Sequence, residues 1–172
     1  MKSNPKWKVS DRVFWLILLG AMVVDQWTKY IVQSKMAEYE SIPIIPNIFH
    51  LTYILNPGAA FGMMANKTIF FVAVTIIVIA AILYFYRTVP PEQFLFRLGL
   101  ALQAGGAVGN LIDRLRTGLV VDFFDFRVFP VFNMADTAIT IGVTLILISL
   151  VITPETKDKK LAQQETVGSG ES

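Results

Sequence analysis

The chain has 172 residues, of which 54% are hydrophobic and 16% charged, and its mean hydropathy is +0.56. These values place it in the membrane class and exclude an ordinary water-soluble globular domain. The net charge of +2 contains no basic stripe of the kind that binds nucleic acid, and the lack of cysteine excludes disulfide-stapled loops and thiol chemistry.

Four nearly pure apolar windows follow in chain order, 13–31, 68–86, 94–112 and 134–152. Each has about the twenty residues a helix needs to cross roughly 30 Å of hydrocarbon. They predict an all-α integral membrane fold, a single four-helix domain over residues 1–153. Lys2, Lys6 and Lys8 before the first window resemble a secretory signal, but no small-x-small cleavage site follows and three further spans do, so the window is read as a retained helix. In the connection 32–67, Pro43, Pro46 and Pro57 interrupt β-prone Ile, Phe, Tyr and Thr residues between Ile42 and Leu55, which predicts a small sheet on the outer leaflet. In the connection 113–133, the run from Leu119 through Phe126, with Phe129 and Phe132, suits a half-buried strand or an interfacial surface. The tail 154–172 is polar and expected to be disordered. Lys2, Lys6, Lys8, Arg12, Arg87, Arg97, Lys157, Lys159 and Lys160 share one side, against Lys35, Lys67, Arg114, Arg116 and Arg127 on the other. Cytoplasmic loops are the ones enriched in Lys and Arg, so both termini are expected in the cytoplasm and both long connections outside.

Polar residues costly in lipid gather near that outer edge. Counting about 1.5 Å per residue from Arg12 puts Asp25 roughly 20 Å and Lys29 roughly 25 Å across the membrane, and the same rise from Arg97 puts Asn110 roughly 20 Å across. Asp113 and Arg114 lie just beyond Asn110, Asp136 lies one turn inside the fourth window, and Asp122 precedes that window. Asp25 and Lys29, four apart, share a helix face and can neutralise each other. Taken singly these residues suit structural ties between helices; their shared depth points to a reaction centre. Gly105 with Gly109 suits close helix packing, and the glycine run is not a nucleotide loop.

The chemistry open to such a site is narrow. His50 is the only histidine and reads as an interfacial residue, and no His-Glu-x-x-His or similar ligand spacing occurs, so no metal site, no cofactor and no acyl-enzyme chemistry is expected. A carboxylate pair remains, one member charged to activate water and the other protonated to polarise a carbonyl. Asp25 has Lys29 beside it and Asp113 is followed by Arg114, which makes both supporting residues. Asp122 and Asp125 point to opposite faces of an extended segment, so at most one reaches a shared site. Asp122, following Val120 and Val121, is the better fixed. Asp136 lies three residues after Asn133, a candidate cap for the fourth helix, where exposed amides favour negative charge. Asp136 is thus expected to be the more acidic member and Asp122 the more readily protonated.

Five blocks in order carry a family resemblance: Asp25-Gln26-Trp27-Thr28-Lys29, Asn56-Pro57-Gly58-Ala59-Ala60-Phe61, Gly106 to Arg114, Val120-Val121-Asp122-Phe123, and Phe132-Asn133-Met134-Ala135-Asp136. Together they resemble the signature of bacterial lipoprotein signal peptidase, also called signal peptidase II. The resemblance implies an aspartic endopeptidase of the bacterial inner membrane, cutting diacylglyceryl-modified prolipoproteins just before the lipid-modified cysteine. It implies catalytic roles for Asp122 and Asp136, and roles in shaping the site and holding substrate for Asp25, Lys29, Asn56, Gly58, Phe61, Asn110, Asp113, Arg114 and Asn133. It also implies membrane lipid as the surroundings of the substrate and sensitivity to the cyclic peptide globomycin. Two rivals remain at this point. An ion-coupled transporter places such charges near the midplane and often shows paired repeats, neither of which occurs, and a purely structural subunit leaves Asp122 and Asp136 without a purpose.

Overall fold

The computed structural model of the chain describes residues 9–58 and 67–152. Phe61 and the tail expected to be disordered lie outside them. The elements run α1 (Val9–Lys35), β1 (Ser41–Ile45), β2 (Phe49–Asn56), α2 (Thr68–Thr88), α3 (Phe94–Thr117), β3 (Val120–Asp125) and α4 (Met134–Ile152). All four helices are long and apolar enough to cross a membrane. Three outrun their apolar windows, α2 by only two residues to Thr88, because backbone hydrogen bonding does not stop where hydropathy falls. Helix α1 continues to Lys35, and α3 runs to Thr117, where Gly118 takes the left-handed conformation (φ 81°) and its N–H closes on the Arg114 carbonyl.

The sheet is antiparallel, in the order β1-β2-β3. Both outer connections therefore contribute to it: the aromatic segment after α3 is a strand, and its pairing of Ile54 with Asp122 and Asn56 with Val120 brings the first connection against the second. Strand β3 is buried along nearly its whole length, whereas all of β1 is exposed.

Helix α3 is the centre of the bundle, packing against α1, α2 and most extensively α4. Glycine makes that approach possible. A methyl group at Gly106 would strike the Ala135 carbonyl at the start of α4, and one at Gly109 would strike the Asp25 carboxylate. Gly106→Ala is expected to push α4 away from α3, costing about 1–3 kcal/mol of stability. A thermal-unfolding midpoint equal to that of the parent would show that the two backbones need not approach so closely.

Two apolar clusters sandwich a polar layer. Phe14, Leu18, Ile82, Tyr86, Leu100, Ala101 and Ala104 join α1, α2 and α3 at the end away from the sheet. Val32, Met36, Tyr53, Val121 and Phe123 join α1 to the sheet. Asp25, Lys29, Asn110, Asp113 and Asn133 are buried between them. Away from the sheet, Arg97 pairs with Asp11 at 2.9 Å and stacks 4.2 Å over the Tyr86 ring, whose hydroxyl also bonds Asp11.

Candidate active site

Lys29 organises the polar layer. Its ammonium reaches Asp25 at 2.9 Å, Asp113 at 2.7 Å and the Asn110 side-chain oxygen at 2.8 Å, so all three N–H donors are used. The sequence suggested Arg114 as the neighbour of Asp113; the structure gives that place to Lys29. Adjacent residues on a helix point about 100° apart and cannot pair, whereas α1 lies directly across from Asp113. Arg114 turns elsewhere, donating to the Gly58 carbonyl at 3.3 Å with its guanidinium 5.2 Å from the Phe71 ring.

Each partner of Lys29 passes the constraint on. Asp113 accepts the Val121 N–H at 3.2 Å, fixing β3 immediately before Asp122. Asp25 accepts the Ala135 N–H at 2.9 Å, satisfying an amide that the first turn of α4 leaves free. Asn110 donates to Asp136 at 2.8 Å. Gln26, which the sequence gave no reason to single out, ties α1 to α3 by donating to Asp113 at 2.9 Å and to the Gly109 carbonyl at 3.1 Å.

Asn133 stands between the two carboxylates. Its side-chain oxygen accepts the Asp136 N–H at 3.0 Å while its own N–H donates to the Asp136 carboxylate at 3.2 Å, a reciprocal cap on α4. Its amide nitrogen donates to Asp122 at 2.6 Å and also faces the Val121 carbonyl and Asn110. The other Asp122 oxygen accepts from the Asn56 side-chain amide at 2.9 Å, and the Asn56 side-chain oxygen is held by the Gly58 N–H at 2.9 Å. Asp122 and Asp136 are thus each supported by two N–H donors and share Asn133, with no cation in direct contact with either among the described residues. Burial pushes the Asp122 carboxyl up to about 7, with the nearby Asp136 adding to the rise and the Asn56 and Asn133 amides and Lys29 opposing it.

Both carboxylates line one cavity of about 890 Å³, together with Asn56, Gly58, Asn110 and Arg114. The rest of its wall is largely apolar: Phe71, Val74 and Thr75 from α2, Thr137, Thr140 and Ile141 from α4, and Phe126 with residues 128–132 of the β3–α4 connection. Asp125 faces away from this pair, accepting from Thr52 at 2.7 Å and from the Arg127 guanidinium at 2.9 Å. Burial alone would raise the Asp125 carboxyl, but those donors and the Arg127 N–H hold it below the usual carboxylate range. His50 lies on β2, its Nδ1 3.2 Å from the Ser41 hydroxyl and outside the cavity.

Four membrane-crossing helices around a buried carboxylate and amide cluster, beside a largely apolar cavity, define a polytopic membrane enzyme. Comparison with known proteins narrows the class. The signal peptidase (SPase) II family matches residues 17–152. The lipoprotein signal peptidase of Moorella thermoacetica is 52% identical over 139 residues, covering 81% of this chain and 93% of the relative. That of Pelotomaculum thermopropionicum is 51% identical over 145 residues, covering 84% and 95%. A bacterial membrane enzyme solved by the in meso method superposes with a TM-score of 0.77 at 39% identity, covering 81% of this chain and 88% of that one. The chain belongs to the signal peptidase II family, and is accordingly a membrane-embedded protease.

Proposed function

We propose that the chain removes the signal peptide from diacylglyceryl-modified prolipoproteins, cutting just before the lipid-modified cysteine, with Asp122 and Asp136 activating water as an aspartic endopeptidase. One observation carries the reading: Asn133 hydrogen bonds to both carboxylates, 2.6 Å to Asp122 and 3.2 Å to Asp136, so the two acids are close neighbours on a single cavity.

The roles divide by environment. Asp136 sits in the first turn of α4, at the positive end of the helix dipole, and takes the charged role. Asp122, raised to about 7 by burial, takes the protonated one. Water loses a proton to Asp136 as its oxygen adds to the scissile carbonyl, while the Asp122 O–H donates to the carbonyl oxygen. Collapse of the tetrahedral intermediate breaks the C–N bond as Asp136 returns the proton to the departing amine and the hydroxyl formed from the carbonyl gives its proton back to Asp122, leaving both acids in their starting states. General acid–base assistance of this kind contributes about 10²- to 10⁴-fold per group. Asn56, Asn110, Asn133 and Arg114 hold the carboxylates and the cavity wall; Asp25, Lys29 and Asp113 hold the elements that carry them.

The membrane gives the site its substrate. A lipid-modified cysteine keeps its acyl chains in the leaflet and brings its peptide bond to the outer interface of the bacterial cytoplasmic (inner) membrane, where a dyad at the sheet end of the bundle meets it if both termini are cytoplasmic. The cavity also suits an apolar cyclic peptide of the globomycin type. Cleavage of a purified lipid-modified prolipoprotein in detergent tests the reading, and EDTA is expected to leave the rate unchanged. Loss of activity in chelator, restored by a divalent cation, would replace the two-acid mechanism with a metal-assisted one.

A further inference from the structure

Asp125 is a buried, charged group that the cleavage chemistry does not use, and the contacts around it form a clasp. Strand β3 ends at Asp125, and the chain then makes a lobe, residues 125–131, before α4. The base of the lobe is closed independently of Asp125: the Phe132 carbonyl accepts the Phe124 N–H at 2.7 Å, and the Phe124 carbonyl accepts the Phe132 N–H at 3.1 Å. Within the lobe, one Asp125 oxygen accepts the Arg127 N–H at 2.8 Å across a turn in which Arg127 has φ 65°. The other accepts both the Arg127 guanidinium at 2.9 Å and the Thr52 hydroxyl at 2.7 Å. Thr52 is in turn held 2.8 Å from the Ser41 hydroxyl, so the clasp ties the lobe through β2 to β1. The Phe126 ring completes the attachment, 4.9 Å from Phe49 and stacked on Phe132.

The lobe matters because of what it faces. Phe126, Val128, Phe129, Pro130 and Val131 all line the cavity that holds Asp122 and Asp136. Val128 is 93% exposed and Phe129 60%, so both present apolar surface. We infer that Asp125 is a positioning residue for substrate affinity: its clasp on Thr52 and Arg127 sets the aim of the apolar lobe that closes over the prolipoprotein, without touching the cleaving groups. The inference rests on the proposed cleavage of a lipid-modified prolipoprotein at this cavity. Asp122 is held by Asn56 and Asn133, and Asp136 by Asn110 and Asn133, none of which contacts Asp125 through any hydrogen bond described above. Loosening the clasp should therefore alter binding and spare the chemical step.

Steady-state cleavage of a lipid-modified prolipoprotein by the full chain in detergent provides the test. For Asp125→Ala, KM is expected to rise about tenfold, the equivalent of one charge-assisted hydrogen bond's worth of preorganisation, with kcat within about twofold of the parent. Arg127→Ala and Thr52→Val each remove one arm and should raise KM in the same direction by less, which keeps the test decisive should Asp125→Ala fold poorly. Unchanged KM in the three variants, or a fall in kcat at constant KM, would overturn the clasp. Asp122→Asn and Asp136→Asn run alongside separate the two claims: if either still cleaves, the proposed mechanism fails, whatever the Asp125 variants do.

Discussion

Asp136→Asn and Asp122→Asn are each expected to reduce prolipoprotein cleavage at least about 10³-fold while the protein still inserts and folds. Asparagine keeps the size of aspartate and can still accept from Asn133, so the cap on α4 and the approach of β3 should persist. What is lost is a group able to take up or deliver a proton. Retention of more than a few per cent of parental activity in either variant would sink the two-acid reading. The Asp122 variant carries a second expectation, about stability. Burial raises the folded Asp122 carboxyl from the ordinary aspartate value of about 4 to about 7, so the protein favours its protonated form. Stability associated with this group is fully present below about pH 4 and is lost as pH rises through about 7. Asp122→Asn has no proton to lose, so its unfolding midpoint in detergent should fall less than the parent's between pH 5 and about 8. Parallel curves for the two proteins would show that burial does not hold this carboxyl protonated.

Lys29→Met is expected to be the most destabilising substitution in the polar layer, by about 3–5 kcal/mol. It strands two carboxylates: Asp25, which is fully buried, and Asp113, which is 7% exposed. Their hydrogen bonds from Gln26, Ala135 and Val121 remain but supply no full counter-charge. The loss should extend to activity, since those same two carboxylates hold the start of α4 and the strand before Asp122. Combining Lys29→Met with Asp113→Asn removes one stranded charge and should recover part of the melting temperature. A single variant that melts like the parent, or a double variant that melts no higher than Lys29→Met, would show that the ion cluster is not what holds this layer.

Much of this site was legible before any coordinates. The depth argument brought Asp25, Lys29 and Asn110 to one level because helical rise is fixed and could be counted from Arg12 and Arg97, while Asp136, one turn inside the fourth window, and Asp122, which precedes it, fell at the same end by their place in the chain. The alternation argument separated Asp122 from Asp125, and the structure sends the first to Asn56 and Asn133 and the second to Thr52 and Arg127. Arg114 was misplaced beside Asp113, and Gln26 was passed over, because both choices depend on which helix faces which. Asn133 was read as a helix cap; its contact with Asp122 required β3 to lie alongside, and that follows from pairing between two connections more than sixty residues apart in sequence.

By itself the sequence determined the four spans and the end of the bundle where the acids gather, since hydropathy sums over neighbouring residues and rise per residue is a constant of the helix. Tertiary structure alone decided who touches whom across that end: one ammonium shared by two carboxylates and an amide, one asparagine between two acids, an aspartate from α1 on the first turn of α4. These contacts depend on how closely α3 approaches α1 and α4, which Gly106 and Gly109 permit, and on the register of a sheet built from distant segments. Such non-local distances leave no periodic trace in the chain, which is why the level of the site could be counted and its wiring could not.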